Sequence, residues 1–385
     1  MQTFRCTQCQ SVVYFEGTQC VNCGHALCFL PDLMRMSAMR QLEGSVFWAS
    51  TGAAGESRLY RKCNNQLQHG VCNWAVPAEN EAPNLDKPDE PDEEAVLCVA
   101  CELNSTIPDL SKPENIEAWR QLENAKRRLL YSLSRQRLGY CPKRKDPRGL
   151  AFAFLQDAEQ KVVTGHADGV ITINLAEADP AWREQTRQRL GESYRTLLGH
   201  FRHESGHYYW DRLLKDNPLL PEFRRLFGDE TVDYGEALRA HYASPPGANR
   251  NVGFVSAYAQ MHPFEDWAET WAHYLHMVDT LETARSYGLA LESNPGEPIE
   301  VGALRLTDFE QLIQGWVPVT LALNSLNRSM GLPDPYPFTL DEGIIEKLRF
   351  VHDVIAAERA RERPRNNTAK CDEPKTGETV SAAAE

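Results

Sequence analysis

The sequence has no apolar run that approaches the roughly 20 residues needed to span a bilayer. Its first residues also carry no apolar signal core, so neither membrane insertion nor signal-directed export is expected. Positive charge is scarce, because 41 Lys and Arg residues face 54 Asp and Glu residues, giving a formal net charge of -13. Since phosphate contacts require clustered Lys and Arg, this balance disfavours nucleic-acid binding.

Much of the acidity comes from one segment. Residues 79–94 carry eight acidic residues and a single lysine, together with three prolines. A segment of this composition cannot bury enough apolar surface to fold, so we predict a disordered acidic loop here. The polar tail over residues 363–385 is likewise predicted to be disordered.

Eleven cysteines are present, and six of them form three Cys-x-x-Cys pairs. That spacing suits metal chelation better than disulfide bracing. Together with the missing signal core, it predicts a reducing compartment and hence a cytoplasmic protein.

The cysteines fall into two sets of four. Cys6 and Cys9, then Cys20 and Cys23 with a glycine directly after, have the spacing of a zinc ribbon, in which two knuckles supply four thiolates. The second set is Cys63, Cys72, Cys98 and Cys101, with the acidic loop between its two pairs and His69 as an alternative ligand. We predict a structural zinc ion in each set.

Beyond residue 110 the pattern becomes mainly helical. Apolar residues at helical spacing predict a helix over 117–137, and short β-rich runs at 151–155 and 169–175 predict a small sheet. Asp179-Pro180 is a helix start, from which a helical pattern runs towards Leu214, with Gly191 and Gly199 as points of interruption. Further helices are predicted from Pro263 and near 341–361.

The sequence His203-Glu204-Ser205-Gly206-His207 lies within this helical pattern. Residues four apart project from the same face of a helix, so His203 and His207 can bind one metal ion. Glu204 can then act on a water without being a ligand itself. Gly206 would let a second element pack closely beside the ligands.

A catalytic zinc ion usually takes three protein ligands and leaves a fourth position for water. The helix predicted from Pro263 carries several groups that could supply the third. The candidates are Glu265, Asp266, Glu269, His262, His273 and His276.

The arrangement resembles the gluzincin clan of metallopeptidases, in which a second helix brings a glutamate ligand, and an acidic residue four positions later bonds to a ligand histidine. Glu265 and Glu269 match that pair. The resemblance also implies that Tyr258, seven residues before Glu265, donates a hydrogen bond to the developing oxyanion. However, 57 residues lie between His207 and Glu265, more than in many gluzincins, so Asp266 and His262 remain alternative third ligands.

The similarity extends over most of residues 1–360. The two cysteine sets, the stretch from Tyr194 to Trp210 and the stretch from Glu265 to His276 are together similar to a bacterial family of zinc-binding metallopeptidases that carry an N-terminal zinc ribbon. The resemblance implies zinc as the cofactor, a peptide or protein as the substrate, and a zincin-like fold.

These observations predict an α+β protein in which small β-rich zinc-ribbon modules precede a mainly helical zincin-like domain with a small sheet. The predicted divisions are a ribbon over 1–30, a second cysteine module over 31–110, a catalytic domain over 111–362 and the tail. The predicted activity is zinc-dependent hydrolysis of an amide bond with Glu204 as general base. Two alternatives stay open. One is an adaptor that binds protein or nucleic acid through its ribbons beside an inactive zincin domain, although the net acidity weakens the nucleic-acid version. The other is a metallohydrolase that acts on a small amide and not on a peptide.

Overall fold

The computed structural model describes residues 1–52, 57–78, 96–159, 161–192, 194–243, 252–291 and 299–361. The predicted acidic loop and the predicted disordered tail lie outside the described residues. None of the described helices is both long and apolar enough to cross a membrane.

The N-terminal part is built from short antiparallel strands. Two of them form a hairpin, β1 (Phe4–Arg5) and β2 (Val12–Val13). The next five form one sheet in chain order, namely β3 (Ala26–Leu30), β4 (Arg35–Gln41), β5 (Phe47–Ser50), β6 (Leu59–Lys62) and β7 (Ala75–Pro77). A short helix, α1 (Asn64–His69), lies between the last two strands.

The remaining part is mainly helical. Its helices are α2 (Pro113–Arg135), α3 (Pro180–Leu190), α4 (Leu197–Leu213), α5 (Leu220–Phe227), α6 (Tyr234–Ala243), α7 (Pro263–Ser286), α8 (Phe309–Ser329) and α9 (Glu342–Arg361). The predicted α+β class is confirmed.

A small mixed sheet accompanies these helices. Its strands are β8 (Asn104–Thr106), β9 (Ala151–Leu155), β10 (Gly165–Ala167) and β11 (Val170–Asn174), in the order β10-β11-β9-β8. Strand β9 runs parallel to both of its neighbours, and β10 forms an antiparallel edge. A further two-stranded pair joins β12 (Ala290–Leu291) to β13 (Ile299–Glu300).

The helical pattern predicted from residue 179 is divided into two helices. Asp179 caps α3 by accepting a hydrogen bond from the Ala181 amide, as the Asp-Pro start predicts. The helix then ends at Gly191, whose φ of 68° is the left-handed conformation that favours glycine. Gly199, by contrast, does not interrupt α4. It lies in the first turn, where its amide donates to the side chain of the capping Thr196.

The β-rich and helical parts share one continuous apolar core, which runs from the ribbon to α9. Tyr131 of α2 packs against Phe4, Phe15 and Phe29 of the N-terminal part, with ring centroids 5.6 to 6.1 Å apart. Helix α2 therefore packs against both the β-rich part and the other helices.

Candidate metal centre

Two long helices, α4 and α7, cross in close contact at the histidine motif. A Cβ atom added to Gly206 would lie 2.8 Å from Ala268 Cα, so only glycine allows this approach. Two tryptophans of α7 complete the contact. The Trp267 indole donates to the Gly206 carbonyl at 2.9 Å, and the Trp271 indole donates to Ser205 Oγ at 3.0 Å. The crossing therefore brings the start of α7 to the face of α4 that carries the histidines.

This close approach gives a direct test. Gly206→Ala should lower the free energy of unfolding by about 1–3 kcal/mol, because the added methyl group overpacks a rigid crossing. It should also weaken metal binding, since Ala268 lies one turn after Glu265. Chemical denaturation and zinc content check both effects. Gly302→Ala is the matched control, because a Cβ atom there meets nothing within 4 Å, and an equal effect of the two substitutions would contradict the explanation.

A buried ion pair holds the same two helices together beside the site. Arg202, the neighbour of His203, donates to Asp279 Oδ2 of α7 at 2.6 Å. Ser132 of α2 donates to the same carboxylate at 2.5 Å. The three helices α2, α4 and α7 are thus joined by polar contacts as well as by the apolar core.

The crossing brings His203, His207 and Glu265 together. The two Nε2 atoms of the histidines lie 3.3 Å apart. Glu265 Oε2 lies 2.9 Å from the Nε2 atom of His203 and 3.5 Å from that of His207. Three potential ligand atoms therefore form a compact triangle on adjacent faces of two helices.

The dimensions of this triangle fit zinc. Ligand bonds of 2.0–2.1 Å in a tetrahedron place neighbouring ligand atoms about 3.3 Å apart, close to the three separations given above. Glu265 Oε2 is also buried and has no hydrogen-bond partner among the described residues. Because an unpartnered buried carboxylate oxygen is costly, a cation between it and the two imidazoles would satisfy it.

Glu269 orients the first of these histidines. Its Oε1 lies 2.7 Å from His203 Nδ1, and its Oε2 accepts a hydrogen bond from Ser256 Oγ at 2.7 Å. Burial acts to raise the pKa of Glu269, but the hydrogen bonds from these partners hold that pKa below its usual value. A carboxylate in this position would hold a proton on Nδ1 and leave Nε2 of His203 to bind a metal ion.

Two tyrosines lie beside Glu265. Tyr234 of α6 donates its hydroxyl to Glu265 Oε1 at 2.8 Å, which fixes the oxygen that does not face the histidines. Tyr258 lies in a one-turn 3-10 helix before α7, with its ring centroid 5.9 Å from that of His203. Burial and the neighbouring Glu265 carboxylate raise the pKa of Tyr258, so the phenol stays protonated.

Three residues near the triangle, Tyr234, Ser256 and His166, were not predicted from the sequence. Tyr234 and Ser256 lie in the interval between the motif and α7, for which no local pattern was found. His166 is on the edge strand β10, and its ring stacks on that of His207 with centroids 6.3 Å apart. Its Nε2 accepts the Gly169 amide at 3.1 Å. Burial and the neighbouring His207 lower the pKa of His166 to about 4, so its ring is neutral.

Glu204 is buried beside the triangle, with 7% of its surface exposed. In the part of the chain that the structure describes, its carboxylate takes part in no hydrogen bond or ion pair.

Asp266 and His262, the alternative third ligands, make other contacts. Asp266 pairs with Lys347 of α9 at 2.5 Å, and burial raises its pKa to about 7. His262 caps α7 by accepting the Phe264 amide at 3.1 Å.

The first cysteine set forms a compact cluster. The sulfur atoms of Cys6 and Cys23 are 3.7 Å apart, and those of Cys9 and Cys20 are 3.6 Å apart. Zinc–sulfur bonds of 2.3 Å in a tetrahedron place sulfur atoms about 3.8 Å apart, which these separations match. Gly24 has a φ of 72°, as the turn after the last cysteine of a knuckle requires.

The second set, which we call the buried cluster, comprises Cys63, Cys72, Cys98 and Cys101. Their sulfur atoms lie within 4.8 Å of one another, and each residue is at most 1% exposed. His69 is not part of this cluster, and its ring packs against Trp119 instead, with centroids 5.7 Å apart. All eight cysteines of the two sets are free thiols.

The chain matches two known protein families. Residues 115–354, more than half of the chain, match the family described as "Putative zinc-binding metallo-peptidase". The chain belongs to this family. Residues 3–112 match a zinc-ribbon domain, so the resemblance drawn from the motifs is confirmed. Uncharacterized proteins of Mycobacterium bovis and Mycobacterium tuberculosis are each 40% identical to the chain over 357 residues, which cover 92% of the chain and 95% of each relative. No solved structure matches the chain significantly.

Proposed function

We propose that the protein is a zinc-dependent metallopeptidase that hydrolyses an amide bond of a peptide or protein, with His203, His207 and Glu265 as the ligands of its catalytic zinc ion. The observation that carries this proposal is Glu265 Oε2, a buried and unpartnered oxygen at 2.9 and 3.5 Å from two histidine nitrogens. Three ligands leave a fourth tetrahedral position open, as catalytic zinc sites require.

When bound, zinc acts as a Lewis acid and lowers the pKa of a water ligand to about 7. Glu204 is the general base in this proposal. Its carboxylate follows the first ligand in the chain and is not engaged by other described groups, so it is free to accept a proton from the attacking water. The same carboxyl group then delivers the proton to the leaving amine.

Tyr258 is the proposed donor to the carbonyl oxygen of the scissile bond. Charge develops on that oxygen only in the transition state, so a fixed phenol beside the ligands stabilises the transition state more than the substrate. The raised pKa of Tyr258 supports this role, because the phenol must keep its proton to donate it. Glu269 is the proposed positioning residue for His203.

The edge strand β10 supports a peptide rather than a small amide as the substrate. His166 on this strand stacks on His207, so this edge of the sheet, which pairs with no further strand among the described residues, lies near the proposed ligands. Extended peptides commonly bind by adding a strand to such an edge. A cytoplasmic location is part of the proposal, since thiolate zinc sites persist in a reducing compartment.

Brief chelation tests the proposal. The proposed ligands His203 and His207 have side chains 12% and 18% exposed, whereas the buried cluster is shielded, so a mild chelator should remove the catalytic zinc before the zinc of the buried cluster. Cleavage of a peptide library, followed by mass spectrometry, should fall to background after this treatment and return on addition of one equivalent of zinc. A zinc-loaded protein that cleaves no peptide in the library would contradict the proposal.

A second candidate function is that of an adaptor, which one observation favours. The ribbon exposes apolar side chains, with Val12 49%, Tyr14 80% and Val21 98% exposed. Exposed apolar side chains mark a partner-binding site when they form one contiguous patch, as this candidate function requires of these three. If the ribbon alone carries the function, substitution of Tyr14 should abolish it, and substitution of Glu204 should not.

A further inference from the structure

The two cysteine clusters differ in their surroundings. Cys9 and Cys23 of the ribbon are half-buried, whereas all four members of the buried cluster are at most 1% exposed. A zinc ion with four thiolates carries a net charge of about −2. Because a buried charge is costly unless it is paired, the buried cluster needs a compensating cation that the ribbon, with its access to water, does not need.

Arg127 of α2 lies beside the buried cluster. It is only 2% exposed, and its Nη1 donates to the carbonyl of Val71, the residue before Cys72, at 2.8 Å. Its guanidinium is within electrostatic range of Cys72, Cys98 and Cys101. The Nε of Arg127 is buried and has no hydrogen-bond partner in the described part of the chain. Arg127 therefore has one N–H donor, on Nε, that no described protein group accepts.

The nearest carboxylate does not neutralise Arg127 on its own. Glu123 Oε2 is 3.5 Å from Arg127 Nη1, but Glu123 Oε1 already pairs with Lys126 at 2.8 Å. Both members of that pair are fully buried. Since the charges of Glu123 and Lys126 cancel, the charge of Arg127 remains available to the thiolates.

Two backbone amides complete the surroundings of the sulfur atoms. The amide of Cys98 donates to Cys63 Sγ, and the amide of Trp74 donates to Cys72 Sγ, each at 3.4 Å. Such bonds stabilise thiolate charge without adding a cation, whereas Arg127 contributes one full unit of positive charge beside Cys72.

We propose that Arg127 is the counter-ion of the buried cluster and sets its zinc affinity. A residue of α2, within the part of the chain that matches the peptidase family, thereby becomes part of a metal site whose ligands come from the cysteine module. The inference does not depend on the proposed peptidase activity.

Zinc release from the folded protein tests this role. Arg127→Gln keeps a donor for the Val71 carbonyl but removes the charge, and Arg127→Lys keeps the charge. The Gln variant should bind zinc at the buried cluster about 10–100-fold more weakly, the usual effect of losing an outer-shell partner, and should therefore release it faster. The Lys variant should stay within a few-fold of the wild type. Arg120→Gln, an exposed position on the same helix, is the matched control.

The readout is zinc release to a colorimetric chelator, with alkylation and peptide mapping to show which cysteines become free. Equal release from the Gln, Lys and wild-type proteins would overturn the proposal, as would a Gln variant that retains zinc better than the Lys variant. If the Gln variant does not fold at stoichiometric zinc, excess zinc should restore its fold, because binding is coupled to folding. Failure of rescue at any zinc concentration would overturn the proposal, because Arg127 would then act through packing and not through zinc affinity.

Discussion

Glu204→Gln is expected to leave all three proposed zinc sites filled and to lower kcat by about 10²–10⁴-fold, the usual contribution of general acid–base catalysis. The amide of glutamine occupies the same volume but cannot accept the proton of the attacking water. The ligand triangle does not depend on this side chain, because no described contact joins the Glu204 carboxylate to the ligands. Metal analysis and peptide cleavage at saturating substrate check the two halves of the prediction.

The control for this experiment is the double variant His203→Ala, His207→Ala. It should bind two zinc ions instead of three, because both nitrogen ligands of the catalytic ion are lost. If the zinc content of the double variant stayed at the wild-type value, the assignment of the catalytic site would be wrong. Wild-type cleavage by the Glu204→Gln variant would instead exclude Glu204 as the base and leave the ligands untouched.

Loss of the buried cluster is expected to affect stability more than any other change. Structural zinc sites contribute on the order of 10–16 kcal/mol to the folding of small metal domains, which equals or exceeds the roughly 5–15 kcal/mol stability of a typical protein. Cys98→Ser with Cys101→Ser should therefore unfold the peptidase part as well, because Val71 and Arg127 tie the cluster to α2. Proteolysis and thermal unfolding at fixed zinc concentration measure the effect.

The matched comparison is Cys9→Ser with Cys23→Ser, which removes two half-buried ligands of the ribbon. This variant should lose one zinc ion and the local order of the ribbon while the helical part keeps its cooperative unfolding transition. The opposite ranking, with the ribbon variant less stable than the buried-cluster variant, would show that burial does not determine the importance of these sites.

Local patterns in the sequence were sufficient to predict the elements that carry the metal centre. The spacing of His203 and His207 needs only a helix, and the start of α7 is marked by Pro263 after a residue that can cap. The two four-cysteine sets follow from spacing alone. These features depend on residues that are near one another in the chain, and they could therefore be read without the fold.

The partners that complete the site are distant in sequence. Tyr234 reaches Glu265 across 30 intervening residues, and His166 reaches His207 of α4 from the edge strand β10. Neither position lies in a periodic pattern that marks it, and long-range contacts of α6 and of β10 bring them near the proposed ligands. Asp266 and His262 could not be separated from Glu265, the proposed third ligand, by local patterns, because the ion pair of Asp266 with Lys347 of α9 is a long-range contact.

The placement of α2 against both the cysteine module and the peptidase helices limits how this architecture can be recombined. A ribbon exchanged between proteins at residue 110 would leave Tyr131 without its aromatic partners and the buried cluster without Arg127. An exchange after Arg135 would keep both sets of contacts intact within the transferred segment. The segment that could be exchanged as a unit is therefore the two cysteine modules together with α2.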